Sequence, residues 1–143
     1  MSTTGLAVFD ETIHKTNAWL KEISQTLDCD QHGSYQALRA VLHCLRDRLI
    51  DDEVTHLGDQ LPMLVRGIYY QAGDRQGNRR RIRSREEFLA RIAANLANAS
   101  IEPEEAARAV FQVLENHVTR GEALRVIGEL PHDIRVLLRG PHV

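Results

Sequence analysis

The sequence predicts an all-α fold, a tandem duplication of one four-helix unit packed into a single pseudo-symmetric globule. Three observations point to it. Sliding the 143-residue chain along itself by 69 positions, without a gap, lays Ala37-Leu38-Arg39-Ala40-Val41 onto Ala106-Ala107-Arg108-Ala109-Val110 and Leu61-Pro62 onto Leu130-Pro131. Nine of the 33 positions from 37 to 69 are identical to their partners, where background composition gives roughly two. A self-match at fixed period is the signature of a repeated structural unit. Apolar residues also recur at helical spacing through most of the chain, and no stretch reads convincingly as a strand.

The elements follow in order. Phe9, Ile13, Thr16, Leu20, Ile23 and Leu27 advance in steps of four and three, which places one apolar stripe on a helix over 9–27, widened by Trp19. A break is expected at Asp28–Ser34, with Gly33 and Ser34 as turn and cap candidates. A second helix over about 35–49 gathers Leu38, Val41, Leu42, Leu45 and Leu49 on one face and leaves Arg39, His43 and Asp47 on or near the other. Asp51-Asp52-Glu53 opens a short third helix, its acids placed favourably at the N-terminal dipole. Pro62 ends it, and residues 62–70 form a fourth with Pro62 at its first position. The run Met63–Tyr70 also fits a strand, but its partner His132–Leu138 keeps a helical register, so a helix is preferred.

The second half repeats the pattern. Ser84-Arg85-Glu86-Glu87 is a capping box, and Phe88, Ile92 and Leu96 follow as a stripe. Pro103 starts the next helix, whose Val110, Phe111, Leu114 and Val118 match Val41, Leu42, Leu45 and Leu49. Gly121-Glu122 opens a short helix that Pro131 breaks. The division is therefore a first helical repeat over 6–70, an Arg-rich linker over 71–83 and a second repeat over 84–139. Each repeat is small for a core of its own, so the two are expected to pack together.

Composition is that of an ordinary globular chain, 43% hydrophobic and 27% charged. No run approaches the ~18 apolar residues of a membrane span, and nothing at the N-terminus reads as a signal peptide. Cys29 and Cys44 suit reduced thiols, and a cytoplasmic location is expected by absence of an address. The net charge of −2 is unevenly spread. Six of the 18 basic residues (Arg75, Arg79, Arg80, Arg81, Arg83 and Arg85) fall within 75–85, a stretch with no acid.

The segments Leu38-Arg39-Ala40-Val41-Leu42, Leu45-Arg46-Asp47-Arg48-Leu49 and Gln60-Leu61-Pro62-Met63-Leu64-Val65-Arg66-Gly67-Ile68-Tyr69-Tyr70 carry a resemblance, as do Arg85–Ile92 and Glu129–Arg135. Over residues 6 to 138 the chain resembles a bacterial family called domain of unknown function 2267. The resemblance implies an all-helical fold and no established activity, and it brings no catalytic residues.

Three polar identities recur at the 69-residue shift: Arg39 with Arg108, Glu53 with Glu122, and Arg66 with Arg135. They are read as repeat-matched structural groups, Glu near a helix start accepting from an Arg of the neighbouring helix, in preference to a duplicated ligand site. Arg79, Arg80, Arg81 and Arg83 could contact an anion or nucleic-acid phosphates, but no aromatics are interleaved for base stacking, and a solvated linker is the preferred reading. Cys29 with His32, and Glu53 with His56, have metal-like spacings without supporting ligands. Cys44 reads as a packed thiol. No catalytic, cofactor or metal residues are expected. The function expected is a non-enzymatic protein-interaction or regulatory module, possible self-association included, with anion or nucleic-acid binding through the Arg-rich linker as the alternative.

Overall fold

A computed structural model describes residues 4–71, 82–97 and 100–140, and among these the chain forms eight α-helices and no strand. They are α1 (Ala7–Leu27), α2 (Gln31–Arg48), α3 (Asp51–Asp59), α4 (Met63–Tyr70), α5 (Arg85–Asn95), α6 (Pro103–His117), α7 (Arg120–Gly128) and α8 (His132–Arg139). α3 and α7 begin and end 69 residues apart, and so do α4 and α8.

Helix ends follow local chemistry. α1 stops where Asp28 turns left-handed, φ 52°. The break is shorter than expected: Asp30, not Gly33 or Ser34, caps α2, its carboxylate accepting from Gly33 N at 2.8 Å. An Asp at this position satisfies a free N–H that Ser34 would have reached only a turn later. Ser84 Oγ accepts from Glu87 N at 3.2 Å, as the capping box requires on that side. Pro103 opens α6. Pro62 stands one position earlier than expected, as an N-cap with ψ 154° rather than a first helical residue, and Pro131 caps α8 in the same way with ψ 153°. Thr119, not Gly121, caps α7.

α2 is the centre of the molecule, with α1, α4, α5 and α6 packed on it. Twelve of its 18 residues are buried, so its interior covers most of its circumference. That overturns the expected polar face, because His43 and Asp47 are both buried. α6, the helix 69 residues on from most of α2, lies against α1, α2, α5 and α8, and α3 packs on α7. One continuous hydrophobic cluster results, with Trp19, Leu38, Leu42, Leu45, Tyr69, Phe88, Phe111 and Ile134 among its members. Each fully buried aliphatic or aromatic side chain contributes about 1.5–3 kcal/mol over its exposed state. Ile82, assigned from sequence to the linker, is completely buried in the same cluster. Phe9 departs in the other direction. It begins the stripe of α1 yet is 44% exposed, because the N-terminal turn of α1 extends past the core.

Candidate functional site

Glu53 and Glu122, singled out in sequence because they match, meet each other. α3 packs on α7, and the Glu122 carboxyl acts on the Glu53 carboxyl across that contact. Glu53 is 4% exposed and Glu122 1%. Each keeps an Oε2 that is buried without a hydrogen-bond partner. Burial, followed by the Glu122 carboxyl and then Glu129, pushes Glu53 up to about 8, with Arg125 opposing. Neither Glu pairs with an Arg from a neighbouring helix among the described residues, contrary to expectation. The cation that bonds Glu122 is Arg125 on α7 itself, 3.4 Å from Glu122 Oε1, its side chain 60% exposed.

The two helices are also tied at both ends. Gln60, just past α3, accepts from Thr119 N at 2.7 Å and donates to Thr119 Oγ1 at 3.1 Å. Glu129, just past α7, accepts from Ile50 N at 3.0 Å. Thr119 and Ile50 are the N-caps of α7 and α3. Each helix therefore has a free N-terminal N–H satisfied by the residue that ends the other, which fixes α3 and α7 as an antiparallel clasp.

The matched arginines go to carbonyls. Arg66 Nε donates to Gly58 O at 2.8 Å and Nη2 to Leu61 O at 2.9 Å, closing the C-terminal end of α3. Arg108 Nε donates to Leu137 O at 3.0 Å, and its Nη2 pairs with Glu104 at 2.6 Å. Arg39 Nε reaches Gln71 Oε1 at 3.4 Å. Arg135 does not copy Arg66, since its Nε is buried without a partner. Sequence matching missed the most deeply held arginine, Arg46. It is 3% exposed, bonds Asp47 at 3.0 Å, and donates to Tyr69 O at 2.8 Å and Gln71 O at 2.5 Å. His43 Nε2 donates to Ile68 O at 2.7 Å. Arg46 satisfies the carbonyls of Tyr69 and Gln71 at the end of α4, and His43 adds a second donor to the Ile68 carbonyl, which also accepts from Gln71 N.

Two hollows along α1 share Lys15 and Pro62 and so make one groove. The first, about 140 Å³, is walled by Val8, Thr12 and Met63. The second, about 310 Å³, is walled by His14, Ala18, Trp19, Gln60, Leu61 and His117. Five exposed large hydrophobics, Leu6, Val8, Phe9, Met63 and Leu64, sit at the N-terminal ends of α1 and α4, and of these Val8 and Met63 line the first hollow. Thr12 Oγ1 accepts from Leu64 N at 3.1 Å and holds these turns together. At the other end the Trp19 ring stacks on His117, centroids 5.0 Å apart. His117 Nε2 donates to Glu22 at 2.5 Å, and Asn116 Nδ2 donates at 3.0 Å. Burial would raise Glu22, but those two bonds and the His117 charge outweigh it and hold the carboxyl below its ordinary range. Nothing in the sequence marks this groove, because its residues come from three separate segments. The one hint is Phe9, an apolar residue beyond the length of stripe the core uses. A further hollow beside Asn17, Lys21, Ser24 and Gln31 is polar, and Gln31 donates to Asn17 across it at 3.1 Å.

Of the basic band, Arg79, Arg80 and Arg81 lie outside the described residues, and Arg83 is exposed directly after buried Ile82. Among the described residues, no three His, Cys, Asp or Glu side chains are grouped to hold a metal ion. No helix of the described residues is long and apolar enough to cross a membrane. Cys44 is buried beside the Phe88 carbonyl, 3.6 Å away, and burial pushes its thiol up to about 12. It is a packing group in a helix interface, not a thiolate.

A family model described as "Uncharacterized conserved protein (DUF2267)" matches residues 16–137. The chain belongs to that family. Comparison with curated proteins finds no match.

Proposed function

We propose that this member of the family is a non-enzymatic protein-interaction or regulatory module, built from two tandem copies of one four-helix unit, that binds a partner protein along the α1 groove. The matching bounds of α3 and α7, and of α4 and α8, support the tandem reading. The observation that carries the binding reading is the pair of exposed hydrophobics, Val8 and Met63, that line one end of the groove, with exposed Phe9 and Leu64 next to them in the chain. Scattered exposed hydrophobics are ordinary on a protein surface, whereas a contiguous group beside a concavity marks an interaction site. The groove then runs past His14, Lys15 and His117, a polar stretch in which Lys15 is paired with Glu11 and His117 with Glu22. An apolar anchor at one end and a polar contact at the other is the layout by which a groove receives a peptide or helix.

Replacing Val8 and Met63 together with Asp tests this directly. Both are exposed, so the variant keeps its helical circular dichroism and melting temperature. Wild-type bait should retain a defined partner from its native host, and the variant should lose at least about tenfold in affinity for it, an apolar anchor being worth more than 1.4 kcal/mol. Equal retention by both proteins refutes the groove as the binding surface.

A further inference from the structure

We infer that Glu53 and Glu122 form a proton-operated clasp, closed when the pair holds a shared proton and loosened when both carboxyls are ionised, and that its state sets the position of the groove wall at Gln60–Pro62.

The geometry has three parts. Both carboxyls are over nine-tenths buried, with an Oε2 apiece that lacks a partner. Two anions so placed repel strongly, and a buried charge without a compensating bond is costly. One proton between them turns repulsion into a hydrogen bond. The pair also lies within the contact that the end-to-end bonds from Gln60 to Thr119 and from Glu129 to Ile50 create. Those bonds hold α3 against α7 while leaving the carboxyls as the element whose sign can change. Finally, Gln60 belongs both to the clasp and to the groove, where it stands with Leu61, Pro62 and His117. A shift of α3 relative to α7 therefore moves one wall of the groove.

The charges around the pair favour the proton. From α7 and its end, Glu122 and Glu129 act against ionisation of Glu53, and Arg125 opposes them. α4 brings Tyr69, whose hydroxyl donates to Val54 O at 2.9 Å, and Arg66, whose bonds go to carbonyls at the far end of α3. On α3 itself, Asp51 and Asp52 stand in the exposed first turn, and neither is among the groups that act on Glu53. The link to ligand binding rests on the proposed groove function, whereas the clasp itself does not.

The test compares wild type with Glu53→Gln and Glu122→Gln in urea between pH 7 and pH 9.5. The wild-type unfolding equilibrium should rise by at least about tenfold over that range, and either variant should flatten the rise. Equal slopes in all three proteins refute the clasp. Should neither variant fold, carbon-13 NMR titration of the wild-type glutamate carboxyls decides. One resonance must titrate well above the ordinary value of 4.5, and uniformly ordinary midpoints refute the clasp. Trp19 is the only tryptophan and lines the groove, so its fluorescence reads the wall without any partner. Its emission should change over the same pH range in wild type and not in Glu53→Gln. Stability that varies with pH beside a constant Trp19 signal overturns the coupling to the groove. Because neither readout uses a binding partner, failure of the Val8 and Met63 test leaves this result independent.

Discussion

Arg46 and His43 both donate to carbonyls at the end of α4, and the loss of each has a different cost. Arg46→Ala abandons the carbonyls of Tyr69 and Gln71 and leaves Asp47 without its bonded partner. Breaking a buried charged pair from one side costs about 3–5 kcal/mol, and urea denaturation of the variant should show a loss of that order. His43 acts through its proton. Burial is the largest influence and holds the ring below 6.5, the Ile68 carbonyl opposes, Arg46 and Arg39 depress it further, and Asp47 opposes. The unfolded chain therefore takes up a proton at higher pH than the folded one. Its contribution is complete above 6.5 and is lost as pH falls below it. Glu53 has the reverse sign, since its folded carboxyl is raised: stability is complete below 4.5 and lost as pH rises through about 8. His43→Gln should flatten the acid limb of the pH–stability curve and Glu53→Gln the alkaline limb, each measured from denaturant midpoints. Sequence matching exposed Glu53 and Glu122 as identical positions but not as neighbours. A self-match says which positions correspond, and it carries no information about which of them face each other across the packed helices. It also passed over Arg46, because Glu115 occupies the position 69 residues on.

At the scale of elements, the helices were legible because their stripes and stops are local. Pro62, Pro131, Pro103 and Ser84 act within one turn of where they stand. Errors arose where tertiary packing overrode pattern. α2 continues back through Gly33 because Asp30 caps it and because the glycine lies against Cys29. A Cβ at Gly33 would stand 3.3 Å from Cys29 Cβ and 3.4 Å from its Sγ. The polar side of α2 is buried because α4 and α5 cover what one helical stripe alone cannot fill. Two substitutions probe the elements separately. Ser84→Ala removes the bond to Glu87 N and should cost about 1 kcal/mol. Gly67 lies in the middle of α4, exposed, with open space where a methyl group would stand. Gly67→Ala should therefore raise stability by about 0.5–1 kcal/mol through helix propensity and lost unfolded-state freedom. Thermal melts of the two variants should move in opposite directions.

The molecule as a whole has one interior. α1 packs on α6 and α5 on α2, so the halves of the chain share apolar faces in addition to packing within themselves. Unfolding should accordingly be a single transition, with calorimetric and van't Hoff enthalpies equal. A fragment of residues 4–71 alone would expose the surfaces of α2 that α5 and α6 cover, and it should lack cooperative melting by circular dichroism. Whole-chain composition foretold such sharing, since each half is too small to hold a stable core. It did not foretell that the residues on either side of 72–81 are anchored. Arg46 grips the Gln71 carbonyl on one side and Ile82 is sunk completely on the other. With Gln71 and Ile82 both secured, the assembled state should persist without the covalent join between them. A protease site engineered between 72 and 81 should yield, after cleavage, two pieces that elute as one particle, and separately expressed pieces should reconstitute it on mixing.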